Sequence, residues 1–200
     1  MASSVSAAAP GTLTMDRILR PRAIAIVGAS ADPRSFGGFV QGNLERYGYS
    51  GDLHLVSRSS SEINGRPCVK TIDELPEGID LAVLAIPEAG VLDAVKSLAA
   101  RQCHAAVLFA SGYAEAGEEG QAKQAELARV AREAGMALVG PNCMGFSNLA
   151  AGVPVTFEPL AAREPETRTG VDKRISYNNF ILNSFLKSLA VMSGFLFFIK

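Results

Sequence analysis

The stretch "VGASADPRSFGG", residues 27–38, follows the apolar run "AIAIV" and leads into a helical pattern. Gly28 permits a sharp turn, and Gly37-Gly38 remove side chains where the helix begins. Backbone N–H groups at such a start have no intrahelical partner and carry partial positive charge, which suits an anion. The spacing is not Gly-x-Gly-x-x-Gly, and the longer loop leaves room for a bulkier phosphate chain. The plainer alternative is an ordinary β-α turn with packing glycines. After the second apolar run stands Ser57-Arg58-Ser59-Ser60, where a fold that prefers NAD carries an acidic residue for the ribose. A guanidinium among hydroxyls suits a ribose with an extra phosphate, as in NADP or coenzyme A. A solvated surface arginine is the alternative.

Three further loops complete the set. In "IPEAG", Pro87 after a buried run gives a rigid apolar wall for a flat base. In "ASGYAEAGEEG", Ser111-Gly112 offer a hydroxyl and backbone amides, while Glu118 and Glu119 complement the dipole of the helix they open. In "GPNCMG", Gly140-Pro141 fix a turn and Asn142 can bond nearby backbone. Cys143 invites a nucleophile reading, but no histidine follows it, and His54 and His104 sit in or beside expected strands. A Cys-His pair therefore has little support, and both histidines read as structural.

The elements that must position these loops alternate regularly. Expected strands cover residues 23–27, 52–56, 81–86, 105–109 and 136–139. Expected helices cover residues 37–47, the amphipathic stretch "EAGVLDAVKSLAAR", and residues 118–133. "TIDELP" reads as a short helical turn with Thr71 as its N-cap. Strands of continuous apolar residues separated by helices indicate a parallel sheet covered on both faces. The expectation is an α/β, Rossmann-like, doubly wound parallel sheet of about five strands. Its ligand would sit beyond the carboxyl ends of the strands, where all five loops lie.

Bulk properties narrow the partners. The 200-residue chain is 48% hydrophobic and 20% charged, enough for a buried core, and its net charge of −1 offers no general attraction for nucleic acid or anionic membrane. Three separated cysteines, Cys68, Cys103 and Cys143, make neither a disulfide framework nor a zinc site, so no metal is expected and a reducing cytoplasm is. Residues 1–15 read as a disordered leader rather than a signal peptide. Beyond residue 157 the composition changes: five of the ten phenylalanines fall after residue 179. Residues 158–200 therefore read as an atypical C-terminal tail of different coding origin, a frameshift or read-through. Its apolar part carries Asn183 and Lys187, which weighs against a membrane span.

The ordered set "IAIVGAS", "SFGG", "GRPCVKTIDELPEGIDLAVLAIP", "SGYAEAGEEG" and "GPNCMG" resembles the CoA-binding domain of the NDP-forming acyl-CoA synthetases, over residues 16–157. These are the ADP-forming acetate–CoA ligases and, more distantly, the alpha subunit of succinyl-CoA synthetase. The resemblance implies that Gly28, Ala29 and Ser30, with Phe36, Gly37 and Gly38, lie along the pantetheine and phosphates of coenzyme A. It places Ser57 and Arg58 near the 3′-phospho-ADP end. Ile86-Pro87 and Ser111, Gly112, Tyr113 and Ala114 would close over the cofactor. Asn142 and Cys143 would face the thiol end. The family's Asn-Pro-Lys after strand two is replaced here by Ser57-Arg58-Ser59, which keeps the charge and loses the proline. The family's phosphohistidine domain and ATP-grasp unit do not follow, so the chain is expected to bind CoA without making acyl-CoA by itself, those units being its expected partners. A stand-alone CoA-binding regulatory module and an NADP-binding oxidoreductase domain are the alternatives.

Overall fold

The computed structural model describes residues 15–160 of the chain. Nine strands and four α-helices occur among them. The strands are β1 (Ala23–Val27), β2 (Asp52–Val56), β3 (Glu62–Ile63), β4 (Arg66–Val69), β5 (Leu81–Leu84), β6 (Ala105–Leu108), β7 (Ala137–Val139), β8 (Gly145–Asn148) and β9 (Val153–Thr156). The helices are α1 (Met15–Leu19), α2 (Phe36–Arg46), α3 (Val91–Ala100) and α4 (Glu118–Glu133). The expected leader lies outside the described residues except for Met15, which opens α1. Of the expected tail, residues 161–200 lie outside them. Among the described residues, no helix is long and apolar enough to cross a membrane.

Seven strands form one sheet in the order β3-β4-β2-β1-β5-β6-β7, parallel except for β3. This is the doubly wound α/β architecture expected from the alternating runs. The five expected strands form its parallel body, and the sequence reading lacked β3 and β4. Those two form a hairpin through Asn64-Gly65, both at positive φ (50° and 78°), the backbone that a two-residue primed turn requires. The hairpin lays β4 parallel to β2, with Val56 opposite Val69.

Side chains alternate across the sheet and build two cores. Ala25, Val27, Leu84 and Leu108 face Val91, Val95 and Leu98 of α3 and Leu127 and Ala131 of α4. Ile24, Ile26, Val83 and Val107 face Val40 and Leu44 of α2, Ile18 of α1, and Phe146 and Val155 of the antiparallel β8–β9 hairpin. The chain after β9 stays against α2, where the Asn43 amide donates to the carbonyls of Thr156 (3.0 Å) and Glu158 (2.8 Å).

At the amino ends of the strands, Asp80 is 1% exposed and organises the entry of the chain. Its carboxylate accepts from Arg17 Nε (2.6 Å), from the Arg22 backbone N–H (2.9 Å) and from Arg22 Nε (2.9 Å). Arg17 also reaches His104 Nδ1 at 3.2 Å. Both expected structural histidines sit within the sheet framework, His54 in β2 and His104 just before β6. Burial pushes the Asp80 carboxyl up, but the bonds from Arg22 and Arg17 outweigh it and hold the group down at about 2.

A carboxyl held below its unfolded-state value stabilises the fold above roughly pH 4 and loses that contribution as pH falls toward 2. Asp80→Asn is therefore expected to lose about 2–3 kcal/mol at pH 7. Urea unfolding midpoints measured from pH 7 to pH 2 should show the gap between the two proteins closing across the acid range. A constant gap would detach the effect from the carboxylate charge.

Candidate functional site

A cavity of about 900 Å³ opens beyond the carboxyl ends of β1, β2 and β5. This is where the strand order reverses: β1 has β2 on one side and β5 on the other, and the crossover from β1 to β2 through α2 and that from β5 to β6 through α3 lie on opposite faces. Val27, Gly28 and Ala29 form its floor. One wall comes from Val56, Ser57, Arg58 and Ser59 after β2 and from Lys70, Thr71, Ile72 and Asp73 after β4. The other comes from Ala85, Ile86 and Pro87 after β5 and from Ala89, Gly90, Asp93, Ala94 and Ser97 leading into and along α3.

Gly28 decides the floor. Its φ is +90°, and a Cβ there would run into the carbonyl oxygen of Ala85 and the side chain of Ile86. Gly37 meets the same constraint one layer up, since a Cβ on it would strike the Gly28 carbonyl oxygen. The start of α2 thus packs directly on the turn after β1. Ser35 caps that helix: its hydroxyl accepts from the Gly38 N–H (3.0 Å) and donates to the Asp32 carbonyl (2.7 Å).

The structure separates two groups of backbone amides that the sequence reading had treated together. The N–H groups of Gly28 and Ala29 donate to the Val56 carbonyl, at 3.1 and 3.0 Å, and so tie the first loop to β2. Those of Phe36 and Gly37, at the first turn of α2, have no acceptor among the described residues. An anion in this loop would meet the helix start rather than the glycine turn.

Of the sixteen residues expected at the site, Gly28, Ala29, Ser57, Arg58, Ile86 and Pro87 line the cavity, and the other ten do not. Ser30, Gly37 and Gly38 belong to the loop and helix start behind the floor. Phe36 is 48% exposed and stacks on Phe157 at 4.5 Å, with Phe109 edge-on at 6.0 Å. In the loop after β6, the N–H groups of Gly112 and Tyr113 donate to Glu115 Oε1 (2.7 and 3.3 Å), and that of Ala114 donates to Gln124 Oε1 (3.2 Å). These amides serve the loop itself. Burial tends to raise the Glu115 carboxyl, but the backbone N–H groups bonded to it bring it below its ordinary value. Tyr113 is buried, and Ser111 is exposed. The Lys123 ammonium reaches Glu88 at 3.4 Å, linking α4 to the loop after β5.

In the loop after β7, Asn142 has φ +51° and donates its N–H to the Ala110 carbonyl at 2.9 Å. Cys143 points inward. Its thiol lies 3.4 Å from the Leu108 carbonyl and 3.5 Å from that of Val139, and burial pushes its pKa up. A thiol held neutral in a core is a poor nucleophile.

Lys70 is the chief residue that the sequence reading missed. It extends β4 past Val69, beside Ser57, whose N–H donates to the Val69 carbonyl at 3.0 Å. Its ammonium donates to the Ser60 carbonyl at 2.8 Å. The available signal was Asn64-Gly65, a hairpin turn that brings "CVK" alongside the end of β2. Asp93 and Ser97 were missed for another reason: only the docking of α3 on the sheet turns their side of the helix toward the cavity.

A family model described as CoA binding domain matches residues 22–148. A trans-feruloyl-CoA synthase from an unknown prokaryotic organism is 44% identical over 155 residues, covering 78% of this chain and 22% of that protein. The alpha subunit of the ADP-forming acetate–CoA ligase II of Pyrococcus furiosus is 33% identical, covering 74% of this chain and 32% of the subunit. The solved dinucleotide-forming acetyl-coenzyme A synthetase 1 of Ca. Korarchaeum cryptofilum, in complex with phosphate and ADP, is 32% identical with a TM-score of 0.70. That likeness covers 74% of this chain and 32% of the solved one. The chain thus spans between about a fifth and a third of the length of these relatives.

The thiols give a direct check on the geometry. Burial pushes Cys103 up to about 12 and raises Cys143 and Cys68 as well, but Cys68, in β4, is partly exposed while the other two are buried. A colorimetric disulfide reagent at pH 8 should therefore titrate Cys68 first in the native protein, and Cys103 and Cys143 only with unfolding. Fast native modification of Cys143 would return it to the accessible site.

Proposed function

The chain belongs to the CoA binding domain family and binds coenzyme A, and we propose that the cavity between β1, β2 and β5 is where it does so. Arg58 and Lys70 take the 3′-phosphate of the cofactor. The observation that carries this reading is that two cations from different strands line the same wall of the cavity, and neither enters an ion pair among the described residues. Arg presents a planar fork to phosphate oxygens, and Lys adds a compact charge beside it. The floor fits as well, because Gly28, where the packing leaves no room for a side chain, and Ala29 present only small residues to the cavity. A volume of about 900 Å³ is at the upper end for small-molecule sites, in keeping with a ligand larger than a mononucleotide. The unpartnered N–H groups of Phe36 and Gly37 serve the pyrophosphate side of the molecule.

In this reading the domain supplies coenzyme A to an ADP-forming acyl-CoA ligase. The 44% identity to a trans-feruloyl-CoA synthase and the 33% identity to an acetate–CoA ligase subunit support that assignment. The phosphohistidine and ATP-grasp units of such ligases are the proposed partners of the domain. Bound coenzyme A brings the thiol that becomes the thioester. The part played by these residues is to fix the nucleotide end so that the thiol arm has a defined reach.

Calorimetry with coenzyme A and dephospho-CoA tests the phosphate contact. The wild-type chain should prefer coenzyme A by about ten- to a hundredfold, the worth of a charge-assisted bond to phosphate. Arg58→Ala and Lys70→Ala should each weaken coenzyme A by about tenfold and leave dephospho-CoA nearly unchanged. Added salt should shrink the preference, since both cations are solvent-exposed. Equal losses for both ligands would remove the pair from the phosphate site, and tighter binding of NADPH than of coenzyme A would favour an oxidoreductase.

A further inference from the structure

The cavity is also lined by two carboxylates that have no partner among the described residues. Asp73 and Asp93 line it together with Arg58 and Lys70, and neither enters a hydrogen bond or ion pair with a described side chain. Asp73 follows Lys70 by three residues on the basic wall. Asp93 lies on the opposite wall, in the first turn of α3, with Ser97 one turn further along the same face. The apolar part of the lining is Ile72 on the basic wall and Ile86, Pro87 and Ala94 on the other.

We propose that Asp93 and Ser97 read the base of the bound nucleotide and select adenine. The inference rests on the coenzyme A reading above. A 3′-phosphate and the base are carried by one ribose, so a phosphate held at Arg58 and Lys70 leaves the base only a few ångströms away, in the apolar slot. The far edge of that slot is the α3 wall. The pairing edge of adenine presents a donor, the 6-amino group, next to an acceptor, ring N1. A carboxylate accepts from the first and a serine hydroxyl donates to the second. Hypoxanthine and guanine present O6 in place of the amino group, and an unprotonated carboxylate repels it. A site built to bond a particular donor rejects the analogue that lacks it. An acidic residue in a helix's first turn also favours the helix dipole, but that role would act on stability and not on the choice of base.

Titration of the full chain with adenosine 3′,5′-bisphosphate and inosine 3′,5′-bisphosphate tests the proposal. The wild-type protein should prefer the adenosine ligand by about tenfold or more. In Asp93→Asn the new amide can donate to O6, so the preference should fall to within about twofold or reverse. Arg58→Ala should weaken both ligands together and keep the base preference, which separates the phosphate contact from the base contact. A wild-type base preference in Asp93→Asn, or its loss in Asp73→Asn instead, would overturn the assignment while the coenzyme A reading stands. Failure of the wild-type chain to bind either bisphosphate would overturn both.

Discussion

The structure turns on one close approach, where the backbone leaves β1. Gly28 passes under the Ala85 carbonyl at the end of β5, and Gly37 rests on the Gly28 carbonyl in turn. Three elements meet there with no side chain between them. The exit of β1, the exit of β5 and the start of α2 are thereby fixed relative to one another, and the cavity opens over the resulting shelf. The bonds from the Gly28 and Ala29 N–H groups to Val56 add β2 to the same junction. A methyl group at either glycine would push these elements apart, and at Gly28 it would also meet a backbone φ that L-residues rarely adopt.

The two ends of the sheet divide the work. At the amino ends, a buried carboxylate is fully engaged: Asp80 takes bonds from Arg17 and Arg22 and holds α1 and the entry to β1 in place. At the carboxyl ends, Arg58, Lys70, Asp73 and Asp93 line a cavity without pairing with one another. Paired charge stabilises one end, and at the other these charged groups enter no ion pair among the described residues. Because the chain's net charge is only −1, the proposed attraction of a phosphate rests on this local arrangement rather than on a basic surface.

The sequence alone was sufficient for the parallel body of the sheet. Ala23–Val27, Asp52–Val56 and Glu118–Glu133 stand at the residues expected, because apolar runs and helical stripes are local patterns that burial on a two-faced sheet leaves little choice about. Thr71 caps its turn as expected, with Glu74 completing the capping box. The order of the loop motifs was likewise enough to indicate the family and its cofactor. The β3–β4 hairpin escaped because two- and four-residue strands carry too little periodicity, although Asn64-Gly65 marked the turn.

The composition of the site was decided by the tertiary structure. Six of the expected residues line the cavity, while the loops after β6 and β7 turn their amides and the Cys143 thiol to internal partners. Sequence order shows that a loop follows a strand, but not whether its N–H groups face a ligand or their own Glu115. Lys70 reaches the cavity because β4 pairs with β2, and Asp93 and Ser97 reach it because of how α3 packs across the sheet. Both depend on contacts between elements distant in the chain, which no local spacing encodes. Chain order set which loops gather at the carboxyl ends, and packing set which atoms in them are left for a ligand.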